Sequence, residues 1–250
     1  RRLGARFIRD PQVSVAVTER ARARFAVEGQ VEDPGVYEAD TTTTLLAALA
    51  QAHARCPQAD LLGTGFRRVQ AWPAEATPPG DAAAREDEAP VEVISDLRRR
   101  WMRHAPLCSS SAAIRRARLQ GMERWFREGE SYGEDLDMWF RLADHGPVVV
   151  VQGAFATVRD NVPGALSASA RRGIPPFLAR MRSQACNGTI PAQHQASALW
   201  LVAQLLVTMA REALAEGHRG EAWHWLREAP GGWRHLRWWI TLGMMPLPRD

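Results

Sequence analysis

"YGEDLDMWFRLADHGPVVVVQGAFATV", residues 132–158, decides how this chain is read. Its first half has the spacing of a helix. Gly133 breaks the chain, and Leu136, Trp139, Phe140 and Ala143 follow at three- and four-residue intervals, the stripe of a helix with one face in a core. Its second half, 147–158, is an apolar, β-branched run with the composition of a strand buried on at least one face. A helix feeding such a strand predicts a mixed α/β protein.

Three acids, Glu134, Asp135 and Asp137, occupy the first turn of that helix, and two readings of them stand. In the first, acids at a helix start meet the positive end of its dipole, worth roughly 0.3–1 kcal/mol each. Asp137 then pairs with Arg141 four residues on, for about 0.2–0.5 kcal/mol. In the second, a carboxylate is held at a helix N-terminus beside an aromatic residue, facing a cleft.

Working outward, "QVSVAVTE" (12–19) alternates like a half-buried strand, and "FAVEGQV" (25–31) reads as a second one with Gly29 as a bulge or close approach. Pro34-Gly35 signals a turn, and "TTLLAALAQAHA" (43–54) a threonine-capped helix. "ADLLGTGF" (59–66) is a short strand. Residues 71–90, rich in Pro, Ala and acids, read as a loop with no core of its own. "VEVISDLRRRWMRHA" (91–105) ends in a helix, and "PLCSSSAAIRRARLQGM" (106–122) is a polar turn running into another. A loop over 159–176 precedes a helical tail from Phe177, with a helix pair around Gly217-His218. In the tail, "ASALWLVAQLLVTMA" (196–210) falls short of the ~20 residues a bilayer needs and reads as a buried helix. Trp233, Trp238 and Trp239 lie beside basic or histidine positions. They either pack the helices or form a membrane-surface or partner-facing contact.

Composition narrows the function classes. All 32 basic residues are arginine, which reads as the codon bias of a GC-rich genome, and the formal charge is only +4. That is no nucleic-acid footprint. Three widely spaced cysteines (Cys56, Cys108, Cys186) argue against a disulfide framework and suit a reducing compartment. No His/Cys set has metal spacing, so no metal ligands are assigned. The seven histidines read as surface or core residues. The absence of a starting methionine and of a signal peptide reads as a piece of something longer.

Four pieces in order carry a resemblance: "PQADLLGTGFRRV" (57–69), "CSSSAAIRRARLQGM" (108–122), "GEDLDMWFRLA" (133–143) and "VVVVQGAFATVRDNVPGALSAS" (148–169). Together they resemble the acceptor-side half of a family-2 glycosyltransferase of the GT-A fold. The resemblance implies a partial GT-A-like sheet with flanking helices, and inverting transfer of a sugar from a nucleotide-sugar to a hydroxyl of a saccharide or lipid-linked acceptor. It makes Asp135 the general base, with Glu134 orienting the acceptor or the loop. Ser109, Ser110 and Ser111 would line the cleft near the sugar, or else cap the helix. Trp139 would stand beside the base as a substrate-binding aromatic, and Arg141 would be structural through Asp137. Such enzymes hold a divalent cation, Mg or Mn, with an Asp-x-Asp in their donor half. That half has no counterpart here: the only literal match, Asp135-Leu136-Asp137, lies inside the base motif.

Residues 7–52 resemble something else, the SLBB region of outer-membrane polysaccharide export proteins. The carrying residues are Asp10-Pro11-Gln12-Val13-Ser14-Val15, Gly29 with Val31, Pro34-Gly35 with Tyr37, and Thr44-Leu45-Leu46. The expected organisation is therefore an export-like β segment with a hairpin over 1–52, a glycosyltransferase-like domain over 53–176 and a helical extension over 177–250. Transfer from nucleotide-sugars implies the cytoplasm, at the inner face of the inner membrane. The export likeness implies the periplasm and outer membrane. Exopolysaccharide or capsule production is common to both, and a fusion of two truncated genes, with an inactive remnant as one outcome, accounts for the switch near residues 52–56.

Overall fold

The computed structural model describes residues 23–27, 35–39, 44–69, 89–130, 132–160 and 173–246. The predicted strand over 12–19, Gly29, the loop over 71–88 and most of the loop after β6 lie outside them. The chain divides into two compact units between Thr43 and Thr44.

The smaller unit contributes an antiparallel pair, β1 (Ala23–Val27) and β2 (Gly35–Ala39), registered Ala23 opposite Ala39 and Val27 opposite Gly35. The "FAV" start of the expected second strand is thus paired, and its partner is the "GVYE" run after the Pro-Gly turn.

The larger unit is α/β. Helix α1 (Thr44–Arg55) belongs to it and precedes β3 (Leu61–Val69). Next come β4 (Val91–Ile94), α2 (Leu97–Trp101), β5 (Ala112–Ile114), α3 (Arg116–Gln120), α4 (Glu134–Ala143) and β6 (Val148–Arg159). The four strands form one mixed sheet in the order β4-β6-β3-β5. The central β3–β6 pair is parallel, Leu61 opposite Val148, and both outer pairs are antiparallel.

The first four residues of β6 are buried on both faces, which explains the unbroken valine run. Val148 and Val150 point into a core built from α2, α4 and the C-terminal helices. Val149 and Val151 point the other way, onto Ala48 and Ala52 of α1 and Cys56. The sheet is therefore sandwiched between α1 and the remaining helices. Past Thr64 the β3–β6 register jumps to Phe66 opposite Ala156. Gly65 is required there, because a Cβ would lie 2.2 Å from the Gly153 carbonyl oxygen.

The tail folds as α5 (Pro176–Cys186), α6 (Ala192–Glu216), α7 (Arg219–Glu228) and α8 (Leu236–Met244). Gly217 takes a left-handed φ of 84° at the end of α6, the helix break expected from sequence. At 25 residues α6 is longer than its apolar stretch suggested, and it is long and apolar enough to cross a membrane by length and composition. Here its Leu201, Val202, Leu206 and Val207 lie in the same core as α4 and β6. Segments 53–176 and 177–250 share that core. The tail tryptophans divide: Trp238 packs against the core and donates its indole N–H to the Leu226 carbonyl at 2.8 Å. Trp233 and Trp239 are 60% and 53% exposed. All three cysteines are free thiols.

Candidate functional site

Helix α4 positions the acids. Gly133 caps it with φ 74°, a left-handed conformation that side chains rarely adopt. The Phe177 ring of α5 lies where a Cβ would stand, so the helix start is fixed from outside as well.

From that start the three acids diverge. Asp137 is 9% exposed and turns inward. It accepts from Arg141 Nε at 3.0 Å and pairs with Arg180 Nη2 at 3.2 Å. Arg180 also holds both oxygens of Glu130. These hydrogen bonds keep the Glu130 carboxyl below the usual carboxylate range and raise the Arg180 guanidinium. Arg141 goes on to donate to the carbonyls of Arg124 and Trp125 at 2.9 and 2.6 Å. Asp137 is thus the anchor that ties α4 to α5 and to the loop before it. Arg141 is structural, as expected from its spacing.

Asp135 is only half-buried. Its Oδ1 accepts the Leu136 amide at 2.7 Å, and its Oδ2 accepts the hydroxyl of Ser109 at 2.7 Å. Glu134 stands beside it, also half-buried. Ser109 opens a 3-10 turn, Ser109–Ser111, that leads into the edge strand β5. Two residues 26 positions apart are thereby joined, a hydroxyl on a carboxylate at a helix start.

The three serines do different things. Ser111 is 1% exposed and donates to the Thr64 carbonyl of β3 at 2.7 Å, while its oxygen accepts the Cys108 amide at 3.0 Å. That is the capping role, stapling the turn to the sheet. Ser110 is exposed, and Ser109 alone among them touches an acid of α4.

Trp139 offers no open face to a substrate, contrary to its expected role. It is 3% exposed and lies at 5.7 Å, tilted, from Trp101 of α2. One turn beyond Asp135, Trp139 belongs to the apolar stripe that packs into the core, where burial of a large ring is most favourable.

A second polar cluster was not foreseen. Arg98, 3% exposed, forms a two-pronged pair with Asp144 at 2.6 and 2.8 Å. Asp144 also meets His194 Nδ1 at 3.1 Å, and His194 Nε2 lies 3.1 Å from the Ser95 carbonyl. This network bolts α2, the end of α4 and α6 together, so His194 is a hydrogen-bonded core histidine.

Among the described residues, three cavities open elsewhere. The first, of about 640 Å³, runs along the far end of α4 past Arg118, Arg124, Arg127, Arg141 and His145. The second, about 130 Å³, lies between α5, α6 and α7. The third, about 340 Å³, is an apolar hollow between α5 and α6. Asp135 lines none of these three. Among the described residues no three His, Cys, Asp or Glu side chains come together as a metal site. No family model, curated protein or solved structure matches the chain.

Proposed function

We propose that the larger unit is the acceptor side of an inverting glycosyl-transfer site of exopolysaccharide or capsule biosynthesis, with Asp135 as its general base. The observation that carries this reading is the Ser109 hydroxyl seated on Asp135 Oδ2 at 2.7 Å. It demonstrates that the half-exposed carboxylate accepts a hydroxyl at the distance base catalysis needs. A saccharide hydroxyl would take the place of the Ser109 hydroxyl or share the same oxygen.

The acceptor O–H gives its proton to Asp135. The oxygen's electron pair forms the new bond to the anomeric carbon of the donor sugar. The bond from that carbon to the nucleoside diphosphate breaks, and its electron pair leaves with the diphosphate. Ser109 positions the base, Glu134 orients the acceptor, and Asp137 holds the helix through Arg141 and Arg180. A divalent cation would offset charge on the leaving diphosphate when bound. Its ligands belong to a donor half that this reading places outside the recognised motifs. The outward face of α8, with Leu236, Trp239, Ile240 and Met244 exposed, supports work at the inner face of a membrane. The β1–β2 hairpin, in a unit of its own, supports the second reading, an export-protein fragment joined to a transferase remnant.

The test is calorimetric titration of the full chain with UDP- and GDP-sugars in the presence of manganese, paired with transfer assays on Asp135→Asn. Binding in both proteins with transfer only in the parent chain supports the assignment. Equal turnover in Asp135→Asn removes Asp135 as base, and no binding of any nucleotide-sugar favours the remnant reading.

A further inference from the structure

The structure assigns a separate function to the arginine-rich cleft along α4: binding a ligand that carries at least two neighbouring oxyanion groups. This inference is independent of the transfer reading. The cleft holds about 640 Å³, within the range of small-ligand sites and far more than a lone phosphate fills. Four arginines line it, Arg118, Arg124, Arg127 and Arg141, against two acids, Glu123 and Asp144. Asp144 is already committed to Arg98, and Arg141 to Asp137. Among the described residues no carboxylate forms an ion pair with Arg124 or Arg127. Glu130, the acid near Arg127, has both oxygens held by Arg180.

Two further donors lack acceptors. The Nε–H groups of Arg118 and Arg127 are buried with no hydrogen-bond partner. Arg118 Nε already has an ion-pair partner in Asp60 at 3.6 Å, which leaves Arg127 Nε, among the described residues, as the cleft donor with neither a hydrogen bond nor an ion pair. Buried donors without acceptors call for an explanation, and an oxyanion in the cleft provides one.

The loop that presents Arg124 and Arg127 is also held in place. Arg141 grips the carbonyls of Arg124 and Trp125, and the Trp125 indole donates to the Leu119 carbonyl at 2.7 Å. Downstream, Glu130 is clamped by Arg180. Guanidinium groups carried on a backbone held this way are suited to two-pronged recognition of phosphate or carboxylate. Paired oxyanions arise in two sources, a diphosphate and a polyuronate saccharide.

The experiment titrates the full chain by calorimetry with inorganic pyrophosphate and, separately, with trigalacturonate. The same titrations are run on the double variant Arg124→Gln/Arg127→Gln. Arg124 is exposed and Arg127 half-buried, and circular dichroism checks that the variant folds. At least one probe should bind saturably and lose roughly tenfold or more in affinity in the variant, as expected when two charge-assisted contacts are removed. Pyrophosphate binding alone identifies a diphosphate, trigalacturonate binding alone a uronate, and binding of both a general oxyanion cleft. Saturable binding of neither probe, or affinity unchanged in the variant, overturns the proposal.

Discussion

Gly133→Ala is the sharpest probe of how the site is held. In the folded chain Gly133 has φ 74°, and a Cβ would stand 2.3 and 2.4 Å from Cε1 and Cδ1 of Phe177. Two costs add. The left-handed backbone costs an alanine roughly 1–2 kcal/mol. Crowding against a ring that is itself 2% exposed costs about 1–3 kcal/mol more, because the core around it leaves little room to yield. The expected loss is therefore roughly 2–5 kcal/mol. Urea unfolding of four proteins measures it: the parent, Gly133→Ala, Phe177→Ala and the double variant. Phe177→Ala alone should cost about 3–5 kcal/mol. With the ring gone, adding Gly133→Ala should cost only the backbone share, about 1–2 kcal/mol. A Gly133→Ala penalty that is the same with and without the ring would refute the contact as the reason for glycine.

Two further outcomes follow from the ionic anchors. Glu130 titrates below an ordinary glutamate, chiefly because Arg180 hydrogen-bonds its charged form. The unfolded chain thus binds more protons in that range. The stabilisation is complete above the ordinary value of about 4.3 and is lost as pH falls through the lower folded value. Glu130→Gln should flatten the acid side of the stability–pH curve in urea titrations, and an unaltered slope would show that Arg180 does not act this way. Asp144→Ala leaves buried Arg98 and His194 facing an empty site, and should lower stability by about 3–5 kcal/mol. A loss under about 1 kcal/mol in thermal or urea unfolding would mean the network relaxes without cost.

What was legible in the sequence was whatever a short window can encode. Helix α4 and strand β6 emerged from periodicity and β-branched content, and α1 to within one residue at each end, while the strand read over 59–66 runs Leu61–Val69. Strand β4 was not assigned, since the stretch 91–105 was read only as ending in a helix and four residues, "VEVI", are too few to set a period. The mixed α/β class held, while the finer likeness to a GT-A half rests on motifs alone. At the site, Asp137 with Arg141 was readable because the pair is four apart on one helix. The clamp of Arg180 on Glu130 spans 50 positions and left no local trace. The two expectations placed on Trp139 competed: its place in the apolar stripe predicted burial, and its place beside Asp135 suggested a substrate contact. Packing prevailed: residue 139 follows Asp135 by one turn, and there Trp101 and the core enclose its ring.

The core shared by α4, α5 and α6 has a consequence for synthesis. A ribosome makes the chain from its N-terminus at about 5–20 residues per second. Phe140 and Leu142 therefore emerge seconds before Phe177, Leu201 and Leu206, their partners in the core. During that interval α4 has only the elements before it, such as Trp101 of α2, to cover its apolar side, and lacks α5 and α6. The nascent protein is most open to aggregation, and most dependent on chaperones, after its motif has been translated and before its tail has.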